Sequence, residues 1–141
     1  MKAFVVLAVN IVLVSMLFCP MAMAAPPMPN DVQMVEADPS LPKELAGFCG
    51  KWEGHDGYQT WFLIVEKIDE EKASFYLWRS VTGDWRRFEA KVSKEGGKYT
   101  LYHPVRVPRT EDNVIMTYTL EGKYLESTTP RGSGARYTRV P

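Results

Sequence analysis

From Gly50 onward, apolar and polar positions alternate in short runs separated by turn residues. Ala73, Phe75 and Leu77 fall on one face of an extended segment, and Ser74, Tyr76, Trp78 and Ser80 fall on the other. Phe88, Ala90 and Val92 oppose Arg87, Glu89 and Lys91 in the same way. Val114, Met116, Tyr118 and Leu120 oppose Thr117 and Thr119, with Ile115 breaking the polarity. A period of two is the mark of a half-buried strand. It predicts eight strands: Lys51–Gly54, Gln59–Ile68, Ala73–Val81, Trp85–Ser93, Tyr99–Pro104, Asn113–Leu120, Lys123–Ser127 and Ala135–Val140. Several separators, such as Thr82-Gly83-Asp84 and Glu121-Gly122, are short enough for hairpins.

One run departs from the alternation. Trp61 to Val65, "WFLIV", is apolar throughout. Such a strand is covered on both faces, or turns one face to a partner or ligand.

Eight consecutive strands with tight turns predict an all-β chain. An eight-stranded antiparallel up-and-down barrel is the first expectation, because closure removes unpaired edges. A sandwich is the alternative. A barrel of this size is filled by side chains or holds one small ligand.

The stretch before the strands divides in two. In "SLPKELAGF", Ser40 can cap a short helical turn, Pro42 sits in its first turn and Gly47 can stop it. Residues 25–39 are Pro-rich and acidic with no period, and read as a flexible arm. The barrel domain is expected over residues 40–141.

Residues 1–24 carry Lys2, an apolar run from Ala3 to Phe18, and Ala22-Met23-Ala24. That order reads as a secretory signal peptide cleaved before Ala25. As a membrane anchor the run is short against the about 20 residues a span requires. A lipoprotein built on Cys19 would have bulky Phe18 where a small residue belongs. The expectation is an exported protein, periplasmic or extracellular, with no stable membrane span after cleavage.

Net charge is zero, but it is unevenly spread. Residues 25–71 hold ten acidic and three basic side chains, and residues 72–141 hold seven acidic and thirteen basic. Such asymmetry marks a basic face for an anionic partner or the solvated faces of strands. Near-neutral charge and export disfavour nucleic acid. Cys49 is the one cysteine outside the leader, so it has no partner for an internal disulfide and reads as packing.

Gly50-Lys51-Trp52, just after the helical turn and opening the first strand, resembles the start of lipocalin-like barrels. The resemblance implies that Trp52 lies at the closed end under an Arg from the last strand, with Arg136 and Arg139 both candidates. "LPKELAGFCGKWEG" followed by "LIVEKID" is also similar to a group of small exported bacterial proteins with a Gly-x-Trp-Glu-Gly start. The chain is shorter than typical lipocalins and lacks room for their C-terminal helix. The resemblance implies architecture and names no ligand.

Chemistry is sparse. His55 and His103 are the only histidines, each reading as a turn or solvent-facing residue, and too few ligands converge for zinc. No cofactor is expected. Ser133 in "RGSGAR" lacks the strand-to-helix setting of a nucleophile elbow. The aromatic residues are the stronger feature. Trp61, Phe75, Tyr76, Trp78 and Tyr118 are candidate ligand-binding residues. Trp85, Arg86 and Arg87, with Arg106 and Arg109 from "HPVRVPRTED", are candidate rim or partner residues. Ordinary cross-strand pairing with Arg stems on rings explains the same pattern.

Three readings follow. The first is a non-enzymatic binding protein with a small hydrophobic or amphipathic ligand in the barrel, open opposite Trp52. The second is a protein-binding or inhibitory module using the arm and rim; it resembles periplasmic metalloprotease inhibitors, without their disulfide. The third is a small barrel enzyme using His55, Asp56 or His103.

Overall fold

The computed structural model describes residues 25–106, 113–132 and 134–141. The leader 1–24 and Arg109 lie outside them. Eight strands run in order: β1 (Gly50–His55), β2 (Thr60–Ile68), β3 (Lys72–Arg79), β4 (Trp85–Glu95), β5 (Lys98–Arg106), β6 (Asn113–Glu121), β7 (Tyr124–Thr128) and β8 (Arg136–Val140). Each pairs antiparallel with its neighbour, and β8 returns to β1, so the sheet closes into an up-and-down barrel. A short helix, α1 (Lys43–Ala46), precedes β1. Pro42, not Ser40, stands at its N-cap and gives no side-chain cap. The Ser40 hydroxyl and amide instead donate to Asp38.

The alternation predicts the inside well. Leu63, Val65, Phe75, Leu77, Ala90, Leu101, Tyr118, Leu125 and Tyr137 form one buried cluster with Trp52. The barrel interior is therefore a packed core, as expected where side chains of this size meet inside eight strands.

The apolar β2 run is covered on both faces. Its inner positions join the core. Phe62 and Ile64 are also buried, and with Ala25, Pro26, Met28 and Trp85 they line an apolar groove under the arm. Three hydrogen bonds hold the Pro-rich arm to the barrel. Trp85 Nε1 donates to the Pro27 carbonyl, the Tyr76 hydroxyl to Asp31, and the Val35 amide to the Glu66 carbonyl. Glu66 sits at the register shift between β2 and β3, where a bulge leaves its backbone unpaired in the ladder.

The wall is not uniform. β4 and β5 pair only from Lys91↔Tyr102 to Glu95↔Lys98, so their upper halves carry no ladder to each other. His103 occupies that gap. It was expected at a strand end facing solvent; it is instead a buried interior residue of β5, which runs on through Pro104. Its ring lies tilted against Phe88 at 4.4 Å and edge-to-face with Phe75 at 5.3 Å. Side-chain packing here takes the place of absent backbone bonds.

Candidate functional site at the barrel mouth

The two ends of the barrel differ in chemistry. At the base, Gly50-Lys51-Trp52 works as a closure device. Trp52 is buried, and its Nε1 donates to the Phe48 carbonyl at 2.9 Å. Of the two candidate arginines, Arg139 takes the position over Trp52, 4.3 Å from the ring centroid. It also donates to the Cys49 and Gly47 carbonyls, each at 2.6 Å. Arg136 stacks on Tyr124 and pairs with Glu126. A Cβ on Gly50 would collide with the Arg139 guanidinium, and its φ of 131° disfavours any side chain. Cys49 is half-buried; desolvation pushes its thiol up, against the opposing charge of Arg139.

The opposite end holds the more site-like arrangement. The β1–β2 turn and the β7–β8 turn enclose a cavity of about 310 Å³ between Asp56, Trp61, Met116, Ser127 and Ala135. Asp56 organises the first turn. Its carboxylate accepts from the Tyr58 and Gln59 amides, the Gln59 side chain and Trp61 Nε1. Desolvation pushes the Asp56 carboxyl up, but these bonds outweigh it and hold the group below its ordinary value. Trp61 is thereby fixed edge-on by Asp56, while Arg79 lies 5.6 Å from its ring. In the second turn, the Ser127 hydroxyl accepts from the Ala135 amide and fixes that corner.

Beneath the mouth lie two phenols. Tyr118 and Tyr137 are fully buried, their ring centroids 6.4 Å apart. The Tyr118 hydroxyl has no hydrogen-bond partner among the described residues, and the Tyr137 hydroxyl has at most a weak one in Ser127. Burial pushes Tyr137 up to about 12, with the Ser127 hydroxyl opposing it and the Asp56 charge adding to it, and pushes Tyr118 well above the ordinary tyrosine value. A buried hydroxyl without a partner is costly, so Tyr118 is an unusual feature of the interior, and its register partner Ser127 lines the cavity. Room for Tyr137 is made by Gly54, its register partner on β1: a Cβ there would stand 2.6 Å from the ring.

The sequence candidates separate. Trp61, Phe75 and Tyr118 face inward and belong to the core cluster, with Trp61 at the mouth. Tyr76 and Trp78 face outward; Trp78 packs edge-on against Phe62 at 5.6 Å, and Tyr76 binds Asp31 of the arm. Trp85 is held by the arm. Arg86 pairs with Asp84, and Arg87 with the buried Glu66. Arg106 ends β5, and the segment 107–112 lies outside the described residues. Ser127, Ala135 and Tyr137 were not singled out by sequence. The signal for Tyr137 was its alternation with Arg136 and Thr138, which puts it inside. Among the described residues, no cluster of three His, Cys, Asp or Glu could hold a metal ion. No family model, curated protein or solved structure matches the chain.

Proposed function

We propose that the chain is an exported, non-enzymatic binding protein of lipocalin-like architecture that takes a small amphipathic ligand at the barrel mouth. The observation that carries this reading is the cavity edged by Trp61, Asp56 and Ser127, with the buried, unpartnered Tyr118 hydroxyl on the strand paired to Ser127. A ligand with an apolar body and one hydroxyl or carbonyl would stack on Trp61 and complete a hydrogen bond in the wall. The packed core limits that ligand to the mouth, so it is smaller than one filling a hollow barrel. The resemblance of the Gly-x-Trp start supports the architecture, and the leader pattern supports export.

The arm bears on the inhibitor reading. An arm that enters a partner's cleft must leave its own barrel, and here three hydrogen bonds and an apolar groove hold it there. The acid–base candidates do not converge either: His55 ends β1 with Asp56 in the turn after it, and His103 is enclosed by Phe75 and Phe88.

The test uses 4-propylphenol, a neutral probe with an apolar tail and one hydroxyl. Residues 25–141 should gain thermal stability with added probe, and tryptophan emission should shift. Met116→Trp should occlude the mouth and abolish the effect, and Ser127→Ala, which removes the hydroxyl lining the cavity, should weaken it by roughly three- to tenfold, as one lost hydrogen bond does. A response unchanged in both variants would reject the mouth as the site.

A further inference from the structure

A second pocket lies at the end of the barrel opposite the mouth. At the base, between α1 and the β4–β5 and β6–β7 turns, a cleft of about 490 Å³ opens beside Trp52. Its floor is apolar, built of Phe48, Tyr99 and Leu120. Its edge is cationic, carrying Lys43, Lys98, Lys123 and Arg139 against the single carboxylate of Glu44. Glu121 offsets part of this by pairing with Lys98 at 2.8 Å. Lys94 adds a further positive charge, 4.8 Å from the Tyr99 ring centroid.

These cations are only partly committed to the fold. Arg139 is engaged by two carbonyls and an indole, which leave its full charge uncancelled. The Lys123 ammonium lies over the Tyr124 ring at 5.3 Å, again with no carboxylate. An apolar trough rimmed by positive charge suits one class of small molecule, an amphipathic monoanion. The charged head would lie among the lysines, and the hydrocarbon body would lie on Phe48 and Leu120. The cleft also has the volume of a small-molecule site, within the range of about 300–1,000 Å³.

We infer that the base cleft is a second, separate binding site, for an amphipathic monoanion such as a medium-chain carboxylate. It lies at the end of the barrel opposite the mouth and does not depend on the mouth being a site. Three basic residues from the second half of the chain meet there: Lys98 and Lys123 beside the β4–β5 and β6–β7 turns, and Arg139 on β8.

Decanoate, below its micellar range, is the probe, with decanol as the neutral counterpart of equal length. Calorimetric titration of residues 25–141 should give saturable decanoate binding that weakens with salt and exceeds decanol binding. Lys43→Gln/Lys98→Gln/Lys123→Gln should weaken it roughly ten- to hundredfold, as loss of three exposed charge pairings does. Lys72→Gln/Lys91→Gln/Lys67→Gln, with the same net charge change elsewhere, should leave it unaltered. Met116→Trp should also leave it unaltered, which separates this site from the mouth. Equal loss in both lysine triples, or equal binding of decanol, would overturn the inference. So would sedimentation with anionic phosphatidylglycerol vesicles by a protein that ignores free decanoate.

Discussion

Arg139 of the last strand lies over Trp52 of the first, 4.3 Å from the ring centroid, and donates to both Gly47 and Cys49. One side chain therefore ties together β8, β1 and the turn after α1. The β1–β8 ladder alone spans only five residue pairs, so the closing seam gains from this second attachment. Arg139→Ala should cost about 1–3 kcal/mol, combining a partly exposed cation–π contact with two charge-assisted hydrogen bonds. Arg139→Lys should recover less than half of that, because an ammonium cannot span two carbonyls and cover a ring at once. Urea denaturation of the three proteins measures both differences.

Gly54 and Tyr137 are a second matched pair across the same seam. The Tyr137 ring lies where a side chain at residue 54 would be, 2.6–2.9 Å from a Cβ. The ring is enclosed by the core and cannot retreat as a surface side chain could. Gly54→Ala should therefore destabilise by about 1–3 kcal/mol. Gly54→Ala combined with Tyr137→Leu should recover part of the loss, since the clash is removed. Thermal denaturation of the single and double variants tests this. Additive costs would show that the two positions are not coupled.

The Gly-x-Trp-Glu-Gly stretch shows how far the sequence could be read. Strand number, order and inward face followed from a period of two, because burial imposes that period directly. The place of Trp52 followed from its resemblance to other barrels. The choice of Arg139 over Arg136 is legible in the same period, because Arg139 shares the inward face of Tyr137 and Arg136 does not, and the closing register then sets Arg139 opposite Trp52. The mouth was harder. Ser127, Ala135 and Asp56 are far apart in sequence and meet only because β7, β8 and β1 are neighbours after closure. Tyr76 and Trp78 misled for a related reason. They sit on an aromatic outer face, and what covers that face is an arm whose composition, rich in Pro and acid, gives no sign of docking.

The arm itself is open to test. It covers Phe62, Ile64 and Trp85 with a segment that has no regular structure and, among the described residues, is held by the hydrogen bonds from Trp85, Tyr76 and Val35. Deleting residues 25–39 should leave the closed barrel, whose core lies inside, but uncover an aromatic strip on β2 to β4. The expected outcome is native-like far-ultraviolet dichroism, a red shift in tryptophan emission and greater self-association at high concentration. An emission spectrum and sedimentation profile identical to those of the intact chain would show that the arm does not protect this face in solution.

Buried titrating groups should give the stability a distinctive pH profile. Desolvation lowers the His103 pKa from its ordinary 6.5, against an opposing contribution from the Glu89 backbone. The folded state then binds this proton less readily than the unfolded chain, so stability is fully present above pH 6.5 and falls as pH drops below it. The carboxylates with shifted values, Asp38, Asp56, Asp69 and Asp84, are all held below 3.8 and titrate later. The window between pH 6.5 and about 5 therefore isolates the histidine. Tyr137 acts at the other limit. Its folded value of about 12 lies above the ordinary 10.0, so the folded state keeps the proton longer. Stability is full below pH 10 and declines as pH rises from 10 toward 12. Urea denaturation across both windows should show a loss on each side. His103→Phe should flatten the acid side alone, and Tyr137→Phe the alkaline side in part, with Tyr118, Tyr76 and Tyr102, all raised as well, supplying the remainder. An acid limb unchanged by His103→Phe would mean that the ring reaches solvent through the β4–β5 gap and is not sealed by Phe75 and Phe88.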